Sequence, residues 1–366
     1  MNGERLRVAR EACWLTQAEL SSMTKIPTST ISKMEKDMYG ARSDQFVASL
    51  AKALDMPVSY FSDEPMLDIP DGMYRKQSRA SAKLQKSVIA HAKQAATVMG
   101  EAERLYPMRK PTIEPLEHGA DLSLAAEYAR WLREAMGVSS RGPITNLTRA
   151  CERAGVAVIN LPMFESEDKA KEERLFSGFS VWPGLGVEDG KRPIILLSSS
   201  LPGDVQRASL AHELAHVYIH TRNRQVNMDV AEKQAWMTGG YVLLPLDEAR
   251  EALADGPVTL ERLRRLKAAY GVSVKFLITY CDHNKLIDSA KAASLHKQYS
   301  SRKWNQREPV EVGRESALLF PSVLKRMQDD GIEIGMPRID VARILSSGSV
   351  GHRVVDSTGT VLSFGQ

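Results

Sequence analysis

The sequence predicts a mostly helical α+β protein with more than one domain, and three observations support this. The chain has 366 residues, which exceeds one typical domain. Residues 4–62 have the pattern of short helices joined by tight turns, and residues 75–106 have the composition of one long helix. Strand-like segments follow later and lie between helices. We therefore expect an N-terminal bundle of the five-helix type and a second helical domain with a small sheet.

Composition indicates a protein of a reducing compartment. The chain is 43% hydrophobic and 26% charged, and no apolar run reaches the ~18 residues that span a bilayer. The N-terminus is charged and lacks the apolar stretch of a secretory signal. Cys13, Cys151 and Cys281 lie far apart without a C-x-x-C pair, which argues against disulfides. We expect a cytoplasmic protein that does not bind membranes.

The first helices carry recognisable start signals. Thr16 and Glu19 have the spacing of a capping box at the start of a second helix. Pro27 suits the first turn of a third helix, which runs to Glu35. A fourth helix is indicated by apolar residues at helical spacing: Phe46, Leu50 and Leu54.

Residues 5–61 resemble the Xre-type helix-turn-helix family. The motifs that match are TQAEL at the start of the second helix, TIS in the third, and the Glu that follows. The resemblance implies that residues 1–64 bind a DNA operator, with the third helix in the major groove. The alternative is a bundle that has kept the fold and lost DNA binding.

The same resemblance implies which side chains contact DNA. Gln17, at the start of the second helix, would reach a phosphate. The third helix would turn short polar side chains and one cation toward bases or phosphates: Thr28, Ser29, Thr30 and Lys33.

Residues 65–120 are predicted to form a basic helical connector. One apolar stripe, Leu84, Val88, Ala92, Ala95 and Met99, could pack on the domain that follows the connector or on a second subunit in a homodimer. Only Glu101 and Glu103 oppose the basic residues between 72 and 110, which are Arg75, Lys76, Arg79, Lys83, Lys86, Lys93, Arg104, Arg109 and Lys110. This charge is either a solvated helix face or an electrostatic footprint for nucleic acid.

Residues 121–287 are predicted to form the second domain. Two helices open it, LSLAAEYARWLREAMGV and a second one after Pro143. Three strands are expected at VAVINLPM, FSGFSVW and RPIILLSS, with a glycine-containing loop (Gly184, Gly186, Gly190) between the last two. Residues 260–288 are again helical. The tail, residues 288–366, is predicted to be a helical region with segments such as ESALLFPSVLKRMQ, and no chemistry can be assigned to it.

One helix of this domain carries an H-E-x-x-H motif, from His212 to His216. Residues four apart lie on one helix face, so both imidazoles can reach one metal ion. Glu213 lies near the same edge and can act as a general base toward water. Buried histidines are costly unless a metal or a partner satisfies them. The alternative is a histidine pair that is merely packed in a core.

A catalytic zinc site takes three protein ligands. His220 continues the series, but eight residues at ~1.5 Å rise place it ~12 Å from His212, too far to share a metal. Glu232 is the best candidate, from a following helix, and Asp229 is the second. Glu248 comes too late in the chain.

Residues 121–287 resemble the ImmA/IrrE metallopeptidases. The order of motifs matches: strands, an Arg, LAHELAHVYIH, E-x-x-A with an LLP ending, and a closing helical segment. The resemblance implies a gluzincin-like domain that holds one Zn2+ ion per chain, although Mn or Fe also suits such donors. It implies that His212, His216 and Glu232 are the ligands and Glu213 the general base.

The domain order resembles regulators that act in phage, mobile-element or stress control, and this implies cleavage of a transcriptional repressor. We therefore expect a DNA-binding zinc metallopeptidase with a protein substrate. The second hypothesis is a transcriptional regulator with a structural or sensory metal site and little peptidase activity. It is favoured by Trp236, because relatives commonly have Asn or Asp four residues after the third ligand. A third hypothesis is an antitoxin-like DNA-binding partner.

Overall fold

The computed structural model describes residues 1–62, 64–67, 69, 81–116, 121–161, 176–183, 192–222, 226–347, 354–355 and 361–362. The chain forms a mostly helical α+β fold, as the sequence predicted. It divides into two compact units. The first contains Met1–Lys110, Val156–Ser200 and Ala317–Ser349, and the second contains Pro111–Gly155, Leu201–Ser316 and Val350–Gln366. The division of the sequence at residues 64, 120 and 287 stays a prediction.

The first unit begins with a small helical bundle. Its α-helices are α1 (Gly3–Ala12), α2 (Gln17–Thr24), α3 (Thr28–Met34) and α4 (Val47–Ala53), and the 3₁₀ segments are Gly40–Phe46 and Val58–Phe61. The capping box is confirmed: Glu19 N donates to Thr16 Oγ1 at 3.1 Å, and Thr16 N donates to the Glu19 carboxylate at 2.6 Å. Leu6, Leu20 and Ile31 are fully buried at the centre of the bundle.

Helix α5 (Ala82–Leu105) packs against α1 and buries the predicted apolar stripe. Its lysines pair with acidic side chains of the bundle: Lys83 Nζ lies 3.3 Å from Glu19 Oε2, and Lys93 binds Glu4. Part of the predicted basic charge of α5 is therefore paired with the acidic side chains Glu4 of α1 and Glu19 of α2. Residues 75–80 of the predicted helix, with three of the basic residues, lie outside the described residues.

A three-stranded sheet belongs to the same unit. The central strand β3 (Ile194–Ser198) pairs in parallel with β1 (Ala157–Leu161) and antiparallel with β2 (Gly178–Val181). All five residues of β3 are buried. The loop that carries Gly184, Gly186 and Gly190, and the end of the first predicted strand, lie outside the described residues.

Two helices of the tail cover the sheet. Helices α14 (Leu319–Asp329) and α15 (Arg338–Ser347) both pack on β1, and α5 packs on β3. Their core contains Phe320, Leu324 and Met327, all fully buried.

The described residues of the second unit form helices and one short hairpin, β4 (Val354–Val355) and β5 (Val361–Leu362). The hairpin lies in the tail, which was predicted to be helical. Its helices are α6 (Ala125–Ala135), α7 (Leu147–Arg153), α8 (Gly203–Ile219), α9 (Met228–Leu243), α10 (Leu246–Leu253), α11 (Leu260–Tyr270), α12 (Val274–His283) and α13 (Ser289–Ser301). Helix α9 packs against α8 and α6, so it forms the centre of this unit. None of the described helices is long and apolar enough to cross a membrane.

Three helices begin or end away from the predicted positions. Helix α7 begins at Leu147 rather than after Pro143, because the Asn146 side chain caps it by accepting from Arg149 N at 2.8 Å. The predicted helical segment 260–288 is divided at Gly271, whose φ of +65° ends α11. The predicted tail helix begins at Leu319, after Glu315.

Two buried cations of the second unit pair with carboxylates from residues 300–316. Arg207 Nη1 binds the Glu315 carboxylate, and both side chains are buried. Lys267 Nζ donates to Asp204 and, at 2.9 Å, to Glu308. These pairs fix the segment after α13 onto α8 and α11.

Candidate metal centre

The two histidines of the motif lie on a largely buried helix, with His212 half-buried and His216 buried. Helix α8 buries Leu210, Ala211, Leu214 and Ala215 completely, which fixes its orientation and leaves His212 half-buried. The Nε2 atoms of His212 and His216 lie 3.0 Å apart. Both rings therefore point to the same place, as the four-residue spacing predicts.

Helix α9 brings a carboxylate to the same place. The Asn227 side chain caps this helix by accepting from Asp229 N at 2.9 Å. One turn later, Glu232 Oε2 lies 3.2 Å from His212 Nε2, and Glu232 Oε1 lies 3.5 Å from His216 Nε2. The three side chains converge from two helices.

The three donors fit a metal ion. One ligand atom each from His212, His216 and Glu232 lies within 4.8 Å of the others. Two imidazole nitrogens and a carboxylate oxygen are a donor set that zinc takes in catalytic sites, with a fourth position open. Within the described ranges, no other group of three His, Cys, Asp or Glu side chains comes this close together.

The carboxylate of this group is held in its charged form. Burial acts to raise the pKa of Glu232, but the neighbouring imidazoles of His212 and His216 outweigh it, and the pKa lies well below its ordinary value. The Glu232 carboxylate therefore carries a negative charge at neutral pH and can help to hold a cation between the three side chains.

His220 lies behind the centre and not in it. Its Nδ1 is 3.0 Å from His216 Nδ1, the nitrogen that faces away from His212. Its Nε2 is 2.9 Å from Gln234 Oε1 on α9. Burial and the neighbouring His216 lower the pKa of His220 to about 4. These distances place His220 behind His216, where the sequence predicts a supporting residue, but sequence reasoning missed Gln234.

The other candidates occupy different positions. Glu213 is half-buried and directly follows His212 on α8. Asp229 is exposed in the first turn of α9. Glu248 accepts from Tyr270 Oη and the Gly142 amide. The structure thus brings Glu232 to the histidine pair and places Glu248 in another network.

Comparison with known proteins agrees with this geometry. Residues 151–279 match the family model described as the IrrE N-terminal-like domain. Residues 6–61 match the Helix-turn-helix family model. The chain joins a helix-turn-helix domain to an IrrE-like domain. Both resemblances predicted from the sequence are confirmed, and a search of curated proteins finds no match.

The IrrE-like domain is metallopeptidase-like, and the helix-turn-helix domain is of the DNA-binding kind. The chain is therefore a DNA-binding regulator fused to a peptidase-like domain. The helices that carry His212, His216 and Glu232, α8 and α9, both lie within the residues that match the IrrE-like family.

A glycine lets these two helices approach closely. A Cβ atom added at Gly239 of α9 would lie 2.8 Å from the Ala211 backbone carbonyl carbon and 2.9 Å from His212 N. These distances are too short for any other residue without movement of a helix backbone. Two glycines in mid-helix, Gly239 and Gly240, were the sequence signal for this contact, and sequence reasoning missed it.

The residue four positions after Glu232 packs away from the centre. The Trp236 ring lies 5.7 Å from the Phe276 ring and 4.7 Å from the His283 ring, both on α12. Trp236 thus contributes to the packing between α9 and α12 in the IrrE-like domain.

The helix-turn-helix domain presents most of its predicted DNA contacts to solvent. On α3, Thr28, Ser29 and Lys33 are exposed and Thr30 is half-buried. Gln17 is engaged within the domain, because its Nε2 donates to Glu35 Oε2 at 2.8 Å.

The same carboxylate accepts from Arg10 Nε at 2.6 Å. Gln17 is therefore part of a partly buried ion-pair network that connects α2 to the end of α3.

Proposed function

We propose that this chain is a DNA-binding regulatory zinc metallopeptidase that cleaves a transcriptional repressor. The observation that carries the proposal is the convergence of His212, His216 and Glu232 within 4.8 Å, beside Glu213. A site that served only structure would have no need of a second carboxylate at this edge. We assign recognition of DNA to residues 1–64 and hydrolysis to residues 121–287, with 65–120 as connector and 288–366 as a tail.

His212, His216 and Glu232 would hold one zinc ion. When bound, zinc supplies a Lewis acid that polarises a peptide carbonyl and acidifies water. Glu213 accepts the proton of the attacking water and passes it to the nitrogen of the leaving amine. Each step of general acid–base help of this kind is worth about 10²–10⁴ in rate.

The helix-turn-helix domain would bring the peptidase to its substrate. Thr28, Ser29, Thr30 and Lys33 on α3 would contact the operator, with Gln17 at its edge. A repressor that binds the same operator would then share one DNA site with the peptidase. In a homodimer, the operator would be pseudo-palindromic, because half-site spacing follows the two-fold axis. Because DNA and its repressors are found in the cytoplasm, we propose that the protein acts there.

The second candidate is a regulator whose metal site is structural or sensory. It is supported by Trp236, whose large ring packs on α12 where a small polar side chain would otherwise support the third ligand. Under this hypothesis the metal controls the conformation and no peptide bond is cut.

Incubation with the repressors encoded beside its gene tests the proposal. The wild-type protein and Glu213→Gln are each incubated with every repressor, with zinc and after chelation, and products are identified by mass spectrometry. We expect one repressor to be cut by the wild-type protein with zinc and by no other combination. Intact repressors throughout, with normal regulation by both proteins, would establish the second candidate instead.

A further inference from the structure

Three buried side chains form a hydrogen-bonded chain that ends at the metal centre. Gln234 and His220 are each 1% exposed, and His216 is 7% exposed. Gln234 Oε1 faces His220 Nε2 at 2.9 Å, and His220 Nδ1 faces His216 Nδ1 at 3.0 Å. The remaining nitrogen, His216 Nε2, faces His212 and Glu232.

The direction of each hydrogen bond follows from its first member. An amide oxygen only accepts, so His220 Nε2 must carry the proton that it donates to Gln234. A neutral imidazole carries one proton, and His220 Nδ1 is therefore an acceptor. His216 Nδ1 must then donate to His220, and the lone pair of His216 is left on Nε2.

We propose that Gln234, acting through His220, holds His216 in the tautomer that binds the metal. This inference rests on the metal site of the proposed function and adds two positioning residues to it. The lone pair on Nε2 points toward the position that zinc would share with His212 and Glu232. A metal-ligating histidine needs its other nitrogen protonated and held by such a partner.

The orientation of the Gln234 amide is the decisive feature. If its nitrogen faced His220, every hydrogen bond of the chain would reverse, and His216 would carry its proton on Nε2. A proton there blocks coordination. Gln234 and Glu232 lie on the same helix, two residues apart, so α9 supplies both a ligand and the group that orients another ligand.

Zinc affinity of matched variants of the full chain tests the proposal. Gln234→Met keeps the side-chain length and removes the acceptor, and we expect zinc to bind about 10–100-fold more weakly, as for other outer-shell changes. Gln234→Glu keeps an acceptor at the same position and should bind zinc at least as tightly as the wild type. Thr238→Val is the control, because Thr238 is fully buried one turn further along α9 and its loss should leave zinc affinity unchanged.

The tautomer can be observed directly, without metal and without a variant. ¹⁵N-histidine NMR of the metal-free protein at alkaline pH should show His216 protonated at Nδ1 and bare at Nε2. The opposite tautomer in the folded wild-type protein would overturn the proposal, as would wild-type zinc affinity in a folded Gln234→Met.

The two proposals fail in different ways. If the wild-type protein binds no zinc, the proposed function is wrong. The His216 tautomer in the metal-free protein would still show whether Gln234 and His220 control the protonation of His216. If Gln234→Met does not fold, as judged by circular dichroism, the wild-type spectrum and the affinity of Gln234→Glu decide it.

Discussion

Glu213 and Glu232 are both half-buried glutamates near the histidine pair, but they stand in different relations to it. Glu232 contacts both imidazoles, and these contacts lower its pKa. Glu213 follows His212 on α8 and projects about 100° around the helix from it. The Glu232 carboxylate faces the space between the histidines, and Glu213 is the residue next to His212 on α8.

Substitution of each glutamate by Gln should therefore have a different effect. Glu232→Gln removes a charged ligand, and we expect zinc affinity to fall by more than the roughly 10–100-fold typical of outer-shell changes. Glu213→Gln should keep zinc and lose cleavage by about 10²–10⁴-fold. Metal content and cleavage rate are measured for both. Cleavage at the wild-type rate by Glu213→Gln would rule out its role as the base.

The sequence predicts contacts within one helix more readily than contacts between two helices. The spacing of His212 and His216, and the rise that separates His220 from the metal, follow from helix geometry alone. The contact between His220 and Gln234 depends on how α8 packs against α9 and on two side-chain rotamers. No local pattern in the sequence contains that information.

The close approach of α8 and α9 is an element-scale feature with a testable cost. Gly239→Ala would place a methyl group 2.8 Å from the Ala211 backbone and force the helices apart, at about 1–3 kcal/mol. Because Glu232 lies on the helix that would move, zinc affinity should fall as well.

The adjacent glycine is the matched control. A Cβ atom at Gly240 would lie 3.4 Å from the Phe276 and Tyr280 rings, a distance that small adjustments accommodate. Gly240→Ala should therefore keep zinc affinity, with melting of the metal-free protein close to wild type. Equal zinc affinities for the two alanine variants would show that helix spacing does not position Glu232.

On the DNA-binding side, the exposed cation of α3 is the side chain to test. If Lys33 contacts a phosphate, Lys33→Ala should weaken binding to all sequences and reduce the slope of log affinity against log salt by about one. Fluorescence anisotropy with the upstream region of the gene measures this. Lys52 is equally exposed on α4, and Lys52→Ala should keep the wild-type slope. Identical slopes for both variants would remove Lys33 from the interface.

Most of the helices and the three strands of the sheet were predicted from local sequence patterns, but α10 was not, and several ends differ from the prediction. Helix α7 starts after Asn146 because the Asn146 side chain accepts a hydrogen bond from the backbone N–H of Arg149. Pro143 has no side-chain oxygen that could cap a helix in this way. Gly271 ends α11 because glycine adopts positive φ without cost. Apolar spacing alone does not distinguish these competing local signals.

At the scale of the whole molecule, the tail determines how the first unit holds together. The bundle residue Asp55 accepts from Ile339 N at 2.9 Å and, through its carbonyl, from Arg338 N, which caps the start of α15. The same helix places Asp340 Oδ2 3.5 Å from the buried His91 Nε2. His91 Nδ1 donates to Ser87 O at 2.7 Å. The tail is thus tied both to the bundle and to α5.

The pair of His91 and Asp340 predicts a dependence of stability on pH. Burial acts to lower the pKa of His91, but the hydrogen bond and charge of Asp340 outweigh it, and the pKa is raised. Its stabilising contribution is therefore complete below the unfolded pKa of about 6.5 and is lost as pH rises through the higher folded value. The melting temperature of the first unit, which contains both residues, should therefore fall as pH rises over that range.

Two Asp→Asn variants separate this effect from general charge effects. Asp340→Asn removes the partner of His91 and should abolish the alkaline loss of stability. Asp329→Asn changes an exposed ion pair with Lys325 on α14 and should melt with the wild-type pH profile. A wild-type profile for Asp340→Asn would show that the pair does not control docking of α15.

The buried pairs of Arg207 with Glu315 and of Lys267 with Glu308 determine the minimum length of sequence that folds as a stable domain. The family match ends at residue 279, so both carboxylates are encoded beyond it. A recombination event that transferred only the matched codons would deliver a core with Arg207 lacking its carboxylate and Lys267 keeping one of its two. Breaking a buried pair costs about 3–5 kcal/mol, a large share of the stability of a typical domain. The heritable module is therefore longer than the family domain, and fusions that end before Glu315 should appear as insoluble products on expression.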